Sequence, residues 1–126
     1  MVIEAPLNRT ERAYGSLADL LRSSERPTAF FATRDHRAEM IWRACRELNL
    51  RIPEDLSVIS YENNYASAYM VPPHTTVAQD FTRLAEHTVN LALEALEGQV
   101  ISDRHIEVPN SFIERDSVKI RMTINQ

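Results

Sequence analysis

Short apolar runs alternate along this chain with segments whose apolar residues recur every three or four positions. Runs at 29–32 and 56–61, and a β-prone stretch at 75–77, have the length and composition of strands. The segment between the first two runs carries Ala38, Ile41 and Cys45 at helical spacing. Because strands that alternate with helices usually pair in parallel, the pattern predicts an α/β domain built around a parallel sheet.

Several residues have the chemistry that is typical of helix ends. Asn8 with Glu11 three positions later resembles a capping box at the start of the first helix. Asp35 is the expected N-cap of the second helix, and Asp80 that of a long third helix ending near Gly98. Further short strands are predicted at 2–5, 105–108 and 111–113.

Polar side chains follow three of the predicted strands at the points where they end. The stretch FFATRD ends in Arg34 and Asp35, and SVISYEN ends in Glu62 and Asn63. The stretch TTVAQDF supplies Gln79, Asp80 and Phe81. Ligands of parallel α/β sheets bind at the carboxyl ends of the strands. The sequence therefore predicts that these groups meet at one rim, where they could bind a polyhydroxylated or heterocyclic molecule.

The same residues also have purely structural interpretations. Asp35 and Asp80 are adequately explained as helix caps. Arg34 and Glu62 could pair with each other across the strand ends. Asn63 and the following Asn64 are common turn residues.

Composition excludes several kinds of chemistry. The net charge of −4 disfavours a nucleic-acid surface on this segment, because phosphate binding needs clustered Lys and Arg. Gly15 and Gly98 are the only glycines, too few for a P-loop or a dinucleotide fingerprint. The four histidines lack the spacing of metal ligands, and most are expected to be solvated. We therefore expect no catalytic residues, no metal and no cofactor.

Two candidates for reactivity favour the structural interpretation. Cys45 lies on the apolar face of its predicted helix, as a buried structural thiol does. Glu62 with Asp35 could be imagined as the carboxylate pair of a glycosidase, but Arg34 and Asn63 beside them indicate binding. A single cysteine and a charged amino terminus without a long apolar region fit a cytoplasmic protein.

Three stretches, RELNLRIPEDLSVISYEN, PPHTTVAQDF and VPNSFIERDS, resemble the LacI/GalR family of transcriptional regulators. The similarity covers most of the chain. In that family these stretches belong to the carboxyl-terminal part of an effector-binding core related to periplasmic sugar-binding proteins. The resemblance implies an incomplete type I periplasmic-binding-protein-like fold, with a three-layer, Rossmann-like lobe around a parallel sheet. A small metabolite would bind between two lobes and alter the DNA affinity of a separate helix-turn-helix domain.

The resemblance also assigns effector-facing positions to this sequence. Arg34 stands where the family often has Asn, and Glu62 and Asn63 stand where it often has two Asp residues. Gln79 and Phe81 match the end of its TT-x-x-Q-D-F pattern. The implied effector-binding set is Arg34, Asp35, Glu62, Asn63, Gln79 and Phe81. The guanidinium of Arg34 would favour an anionic or carboxylate-bearing effector, or it could close the pocket by pairing with Glu62.

The resemblance implies that residues 1–126 are the carboxyl-terminal portion of an effector-binding domain, without its amino-terminal lobe and without a DNA-binding domain. In the family, the helix at 80–98 packs on that missing lobe. The apolar arc of this helix is also wider than an ordinary surface helix needs. We expect a homodimer that covers this face, and the alternative is a monomer whose helix folds back onto the sheet.

The expected function is the ligand-sensing portion of a LacI-family transcriptional regulator that binds a sugar or related metabolite. Such a protein would be a cytoplasmic homodimer that contacts DNA only through a domain outside this chain, with no membrane partner. Two alternatives are a fragment of a sugar-transporter solute-binding protein and a purely structural dimerisation module.

Overall fold

The computed structural model describes residues 10–99 and 105–120, which form a four-stranded sheet and three α-helices. In chain order the elements are α1 (Thr10–Arg22), β1 (Ala29–Phe31), α2 (Asp35–Glu47), β2 (Ser57–Glu62), a 3₁₀ helix (Tyr65–Ala68), β3 (Thr75–Ala78), α3 (Phe81–Leu96) and β4 (Ser111–Ile113). The predicted strand at 2–5 and the predicted capping residue Asn8 lie outside the described residues.

The strands lie side by side in the order β1-β2-β3-β4. β1 pairs with β2 in parallel, with Phe31 beside Ile59, and β2 pairs with β3 in parallel, with Glu62 beside Ala78. The prediction of a parallel sheet is confirmed for these three strands. β4 runs antiparallel to β3, which makes the sheet mixed. Such an antiparallel edge strand is common on otherwise parallel sheets.

The hydrophobic core lies between α1, α2 and β2. Leu21 of α1, Ile41 of α2 and Val58 of β2 are buried together, and Leu56 joins them from the segment before β2. The helical spacing seen in the sequence thus marks the faces that pack. Cys45 belongs to this cluster, and burial raises the pKa of its thiol to about 11. This agrees with the predicted buried structural thiol.

The segment after β4 forms hydrogen bonds with both central strands of the sheet. The Ser117 hydroxyl donates to the carbonyl oxygen of Val58 at 2.6 Å and accepts from the amide of Thr75 at 2.8 Å. The Ser117 carbonyl also accepts from the Val58 amide at 2.8 Å. One buried residue therefore satisfies backbone groups of both β2 and β3 and fixes their relative position.

Two predicted details are wrong. Residues 105–108 form no strand, since no strand of the described chain pairs with them. Asp35 is not an N-cap: Arg34 occupies that position in extended conformation without a side-chain cap bond, and Asp35 is the first helical residue. The Asp35 carboxylate turns inward instead, because donors from neighbouring strands face it there.

Helix α3 follows the predicted bounds but buries none of its residues. Asp80 caps its start by accepting from the Arg83 amide at 3.0 Å, and Gly98 follows its end with a φ of +78° that suits glycine. Val89 and Leu93 are both more than half exposed. The alternative in which α3 folds back onto the sheet is therefore wrong for the described chain. Nor is any described helix long and apolar enough to cross a bilayer.

Candidate functional site

The parallel pairing brings the predicted rim residues to one end of the sheet. β1, β2 and β3 run in the same direction, so Arg34, Glu62 and Gln79 all follow strand ends on the same side. Because Glu62 pairs with Ala78, Gln79 lies one residue beyond it on the neighbouring strand. We call the strand-end residues Arg34, Glu62, Asn63, Gln79 and Phe81 the rim.

Arg34 and Glu62 form an ion pair at the rim. The Arg34 Nη1 atom lies 3.0 Å from the Glu62 Oε1 atom. The arginine side chain is 60% exposed and the glutamate side chain 22% exposed, so the contact sits at the protein surface with the carboxylate on the inner side. Of the two possibilities open from the sequence, pairing of these residues is what the structure contains.

Asp35 lies beneath the rim and is only 2% exposed. One carboxylate oxygen accepts from the hydroxyls of Ser60 and Thr76, the latter at 3.0 Å. The other accepts from the Asn64 amide at 2.6 Å and from the Ser67 hydroxyl. These donors belong to β2, β3, the 3₁₀ helix and the residue before it. A single buried carboxylate on α2 thus connects this helix with β2, β3 and the 3₁₀ helix.

The hydrogen bonds keep Asp35 ionised. Burial alone raises the pKa of a carboxyl group, but the bonds from Ser60, Ser67, Asn64 and Thr76 outweigh it and lower the Asp35 pKa below its ordinary value of 3.8. The negative charge also lies in the first turn of α2, where the helix dipole favours an anion.

The backbone after β2 is held in an uncommon conformation. Glu62 has a φ of +122° and Asn63 a φ of +57°, in the region that side-chain-bearing residues rarely adopt. Asn64 follows, and its side-chain oxygen accepts from the amides of Ala66 and Ser67 to open the 3₁₀ helix. Since the Asn64 amide is bonded to Asp35, the buried carboxylate helps to impose this turn and aim Glu62 and Asn63.

Arg115 fixes Asn63 from the segment after β4. Its Nη2 atom donates to the Asn63 side-chain oxygen at 2.8 Å, and its Nη1 atom donates to the His74 carbonyl at 2.6 Å. With its oxygen engaged as an acceptor, the Asn63 amide nitrogen remains the group available to donate to a ligand. Asn63 is therefore a positioned side chain as well as a turn residue.

Gln79 and Phe81 occupy the β3 side of the rim. Gln79 is partly buried, and Phe81, the first residue of α3, is 56% exposed. An exposed aromatic ring beside polar groups is suited to stacking on a sugar or a heterocycle. The rim thus presents an ion pair, two amides and a ring, over a charged carboxylate that is held inside.

His74 lies below this arrangement as a buried imidazole without hydrogen-bond partners. It is 0% exposed, and neither ring nitrogen has a partner among the described residues. The imidazole contacts the Trp42 ring, with centroids 4.7 Å apart. Burial lowers the His74 pKa, Asp35 raises it, and Arg115 lowers it further, so the net direction is below 6.5. His74 departs from the expectation that the histidines are mostly solvated.

Sequence reasoning missed the residues that support the rim. Ser60, Ser67 and Thr76 carry ordinary hydroxyls with no signature, and Arg115 lies 52 positions from the Asn63 side chain that it holds. A buried serine in an otherwise apolar strand was the one available signal, because a buried hydroxyl requires a partner. In the part of the chain that the structure describes, no cluster of three or more potential ligands could hold a metal ion.

The family model for a periplasmic binding protein-like domain matches residues 3–118. The chain belongs to this family. The family predicted from the three quoted stretches is confirmed by curated relatives that are HTH-type transcriptional repressors by name. The HTH-type transcriptional repressor PurR of Erwinia tasmaniensis is 37% identical over 108 residues, covering 86% of this chain and 32% of the relative. PurR of Haemophilus influenzae is 38% identical over 113 residues, covering 86% and 33%.

Solved structures agree with the family assignment. A LacI family transcriptional regulator from Bifidobacterium animalis has a TM-score of 0.75 at 27% identity, covering 83% of this chain and 38% of the regulator. The lac repressor dimer bound to operator and the anti-inducer ONPF has a TM-score of 0.75 at 30% identity, covering 83% and 36%. The chain therefore spans about a third of the length of the curated relatives it matches.

Replacing Asp35 by Asn is expected to lower the free energy of unfolding by at least about 3 kcal/mol, because an uncharged amide loses several charge-assisted bonds. The control is Asp80→Asn, since Asn caps a helix about as well as Asp. Urea denaturation at neutral pH measures both variants. Equal stability of the two would show that the Asp35 bonds do not hold the rim.

His74→Leu is expected to raise the free energy of unfolding at neutral pH by about 1–3 kcal/mol, because it removes buried polar atoms without partners. In the unaltered protein, His74 takes up a proton near pH 6.5 in the unfolded chain but only at a lower pH in the folded state. The free energy of unfolding therefore falls as the pH drops from 6.5 towards the lowered pKa. His74→Leu should remove that part of the pH dependence.

The matched control for the His74 prediction is His36→Leu, at an exposed position of α2. It should keep the acid dependence of the unaltered protein. Chemical denaturation between pH 5 and 8 provides the comparison. An unchanged dependence in His74→Leu contradicts the account of this imidazole.

Proposed function

We propose that this chain is the ligand-sensing portion of a LacI-type transcriptional regulator, and that the rim binds a small metabolite such as a sugar. The observation that carries the proposal is the convergence of Arg34, Glu62 and Gln79 at the carboxyl ends of parallel strands. Ligands of open α/β sheets bind at that end. The curated relatives reported above are repressors by name, which favours a regulator over the transporter alternative and over an enzyme.

The rim residues have separate roles in the proposed site. Arg34 and Glu62 supply charged donors and acceptors, Asn63 supplies a fixed amide donor, and Gln79 supplies a second amide. Phe81 offers its exposed ring as a stacking surface. Asp35 belongs to the proposed site as its support, since its oxygens are already engaged by protein donors.

The proposed mechanism is a shift between two arrangements of the lobes of a complete protein. A ligand moves that equilibrium only if it binds one arrangement more tightly than the other. The rim offers one wall of such a cleft, and Phe81 connects it directly to α3. A second lobe that closes on the rim would gain ligand contacts in one arrangement only. The DNA-binding domain and the cytoplasmic location are parts of this proposal.

The complete gene product that contains this sequence should gain thermal stability with at least one member of a panel of sugars, sugar acids and nucleosides. At a ligand concentration of about 100 times the dissociation constant, the gain is about 2.7 kcal/mol. Arg34→Ala should abolish the shift. Arg46→Ala, an exposed change near the other end of α2, should retain it. Differential scanning fluorimetry measures all three proteins.

The outcomes of this experiment separate the candidate functions. A ligand that also alters retention of the protein on genomic DNA fragments supports the regulator. A ligand that binds without any effect on DNA retention supports the transporter alternative. No thermal shift with any compound contradicts a sensing role and favours the structural dimerisation module.

The second part of the proposal concerns the exposed apolar face of α3. Its large apolar side chains Phe81, Leu84, Val89, Leu93 and Leu96 are all exposed. A contiguous apolar face of this kind marks an interaction surface. In a complete regulator we propose that a second lobe covers it. In the 126-residue chain alone, we propose that α3 of a second copy does so and gives a homodimer.

The isolated 126-residue chain should sediment as a dimer at micromolar concentration. Leu93→Glu should shift it towards monomer, because a charge would be buried in the apolar contact. Asn90→Glu, which adds the same charge in the middle of the polar side of α3, should leave the dimer intact. Sedimentation equilibrium distinguishes these species, and a monomer at tens of micromolar in the unaltered chain contradicts the α3 contact.

A further inference from the structure

The Arg34–Glu62 ion pair leaves most of its hydrogen-bonding capacity open. Within residues 10–99 and 105–120, the bond from Arg34 Nη1 to Glu62 Oε1 is the one hydrogen bond of either side chain. A carboxylate has two oxygens and a guanidinium has five N–H donors. Glu62 Oε2 and the remaining Arg34 donors are therefore available side by side, as an adjacent acceptor and donor at the rim.

The pair is electrically neutral, and the charges around it are already compensated. The buried Asp35 carboxylate is held by hydroxyl and amide donors at the start of α2, where it offsets the positive end of the helix. The Arg115 guanidinium is occupied by the Asn63 side chain and the His74 carbonyl. Arg34 is thus the cation that an incoming anion would meet first, and it already has a counter-ion.

An anionic ligand that binds the open Arg34 donors would lie beside the Glu62 carboxylate and would compete with it for the guanidinium. Glu62 is the more buried partner, at 22% exposure, and its backbone is fixed at a φ of +122° by the turn that Asp35 holds. Displacing Arg34 would leave a partly buried carboxylate without its counter-ion, next to a second negative charge. A neutral group carrying adjacent hydroxyls pays no such penalty, because it accepts from Arg34 and donates to Glu62 while the pair stays intact.

We propose that the Arg34–Glu62 pair is a specificity-determining unit that selects uncharged polyhydroxylated ligands and rejects their acid counterparts. This inference rests on the proposed function of the rim. It decides between the two options that the sequence left for Arg34: the guanidinium serves hydrogen bonding to a neutral ligand, and Glu62 blocks its use as an anion site. Glu62→Gln should release Arg34 and reverse part of the selection.

The test uses the complete gene product and matched pairs of neutral and anionic compounds. Suitable pairs are galactose with galacturonate, glucose with glucuronate, and inosine with inosine 5′-monophosphate. Isothermal titration should detect a neutral member that binds at least about tenfold more tightly than its acid, a difference of about 1.4 kcal/mol. Glu62→Gln should move the ratio of acid to neutral affinity towards the acid by about tenfold.

Two further variants complete the design. Glu54→Gln removes the same charge before the start of β2, at the opposite end of the strand, and should leave the ratio unchanged. Arg34→Gln keeps the Glu62 charge without its partner and should weaken the acids still further, which provides a second reading if Glu62→Gln does not fold.

Each outcome has a defined meaning. Tighter binding of an acid than of its neutral partner by the unaltered protein overturns the selectivity while the proposed function stands. An unchanged ratio in a folded Glu62→Gln variant, or stronger acid binding in Arg34→Gln, also overturns it. Binding of no compound by the unaltered protein overturns the proposed function, and the selectivity with it.

Discussion

The hydrogen bonding of the buried Asp35 carboxylate is the interaction on which the rim depends. It accepts from the hydroxyls of Ser60, Thr76 and Ser67 and from the amide of Asn64, and so connects α2 with the ends of β2 and β3 and with the 3₁₀ helix. A buried charge is tolerated only when it is fully hydrogen-bonded. The sheet end is therefore built around one residue whose loss would release several segments together.

The rim follows from this support. The bond from the Asn64 amide to Asp35 helps to hold Glu62 and Asn63 in an uncommon backbone conformation, and Arg115 secures the Asn63 side chain. The ion pair between Arg34 and Glu62 then lies over a fixed base. Rigid positioning of this kind lowers the entropic cost of ordering side chains around a ligand. The chain belongs to the periplasmic-binding-protein-like family, and the curated relatives that it matches are repressors by name.

Local patterns in the sequence were sufficient to predict the four strands of the described sheet, the three α-helices and the exposed apolar face of α3. The apolar runs predicted three neighbouring parallel strands, and the apolar arc of α3 predicted a helix that needs an external partner. Contacts between residues far apart in the sequence could not be predicted from such local patterns. An aspartate at position 35 could cap the helix or accept hydrogen bonds in the protein interior. The hydroxyls of Ser60 and Thr76, which face its carboxylate, decide for the interior position. Residues 105–108 are β-prone, but a strand also needs a neighbour with which to pair.

The ionisation of Asp35 can be measured directly. Titration of its carboxyl carbon by NMR, with the Asp35→Asn variant used to assign the signal, gives the pKa in the folded protein. The hydrogen bonds described above predict a value below the ordinary 3.8, because they stabilise the charged form more than burial destabilises it. A value above 3.8 would mean that burial dominates, that the four donors do not hold a charge, and that the rim is organised in some other way.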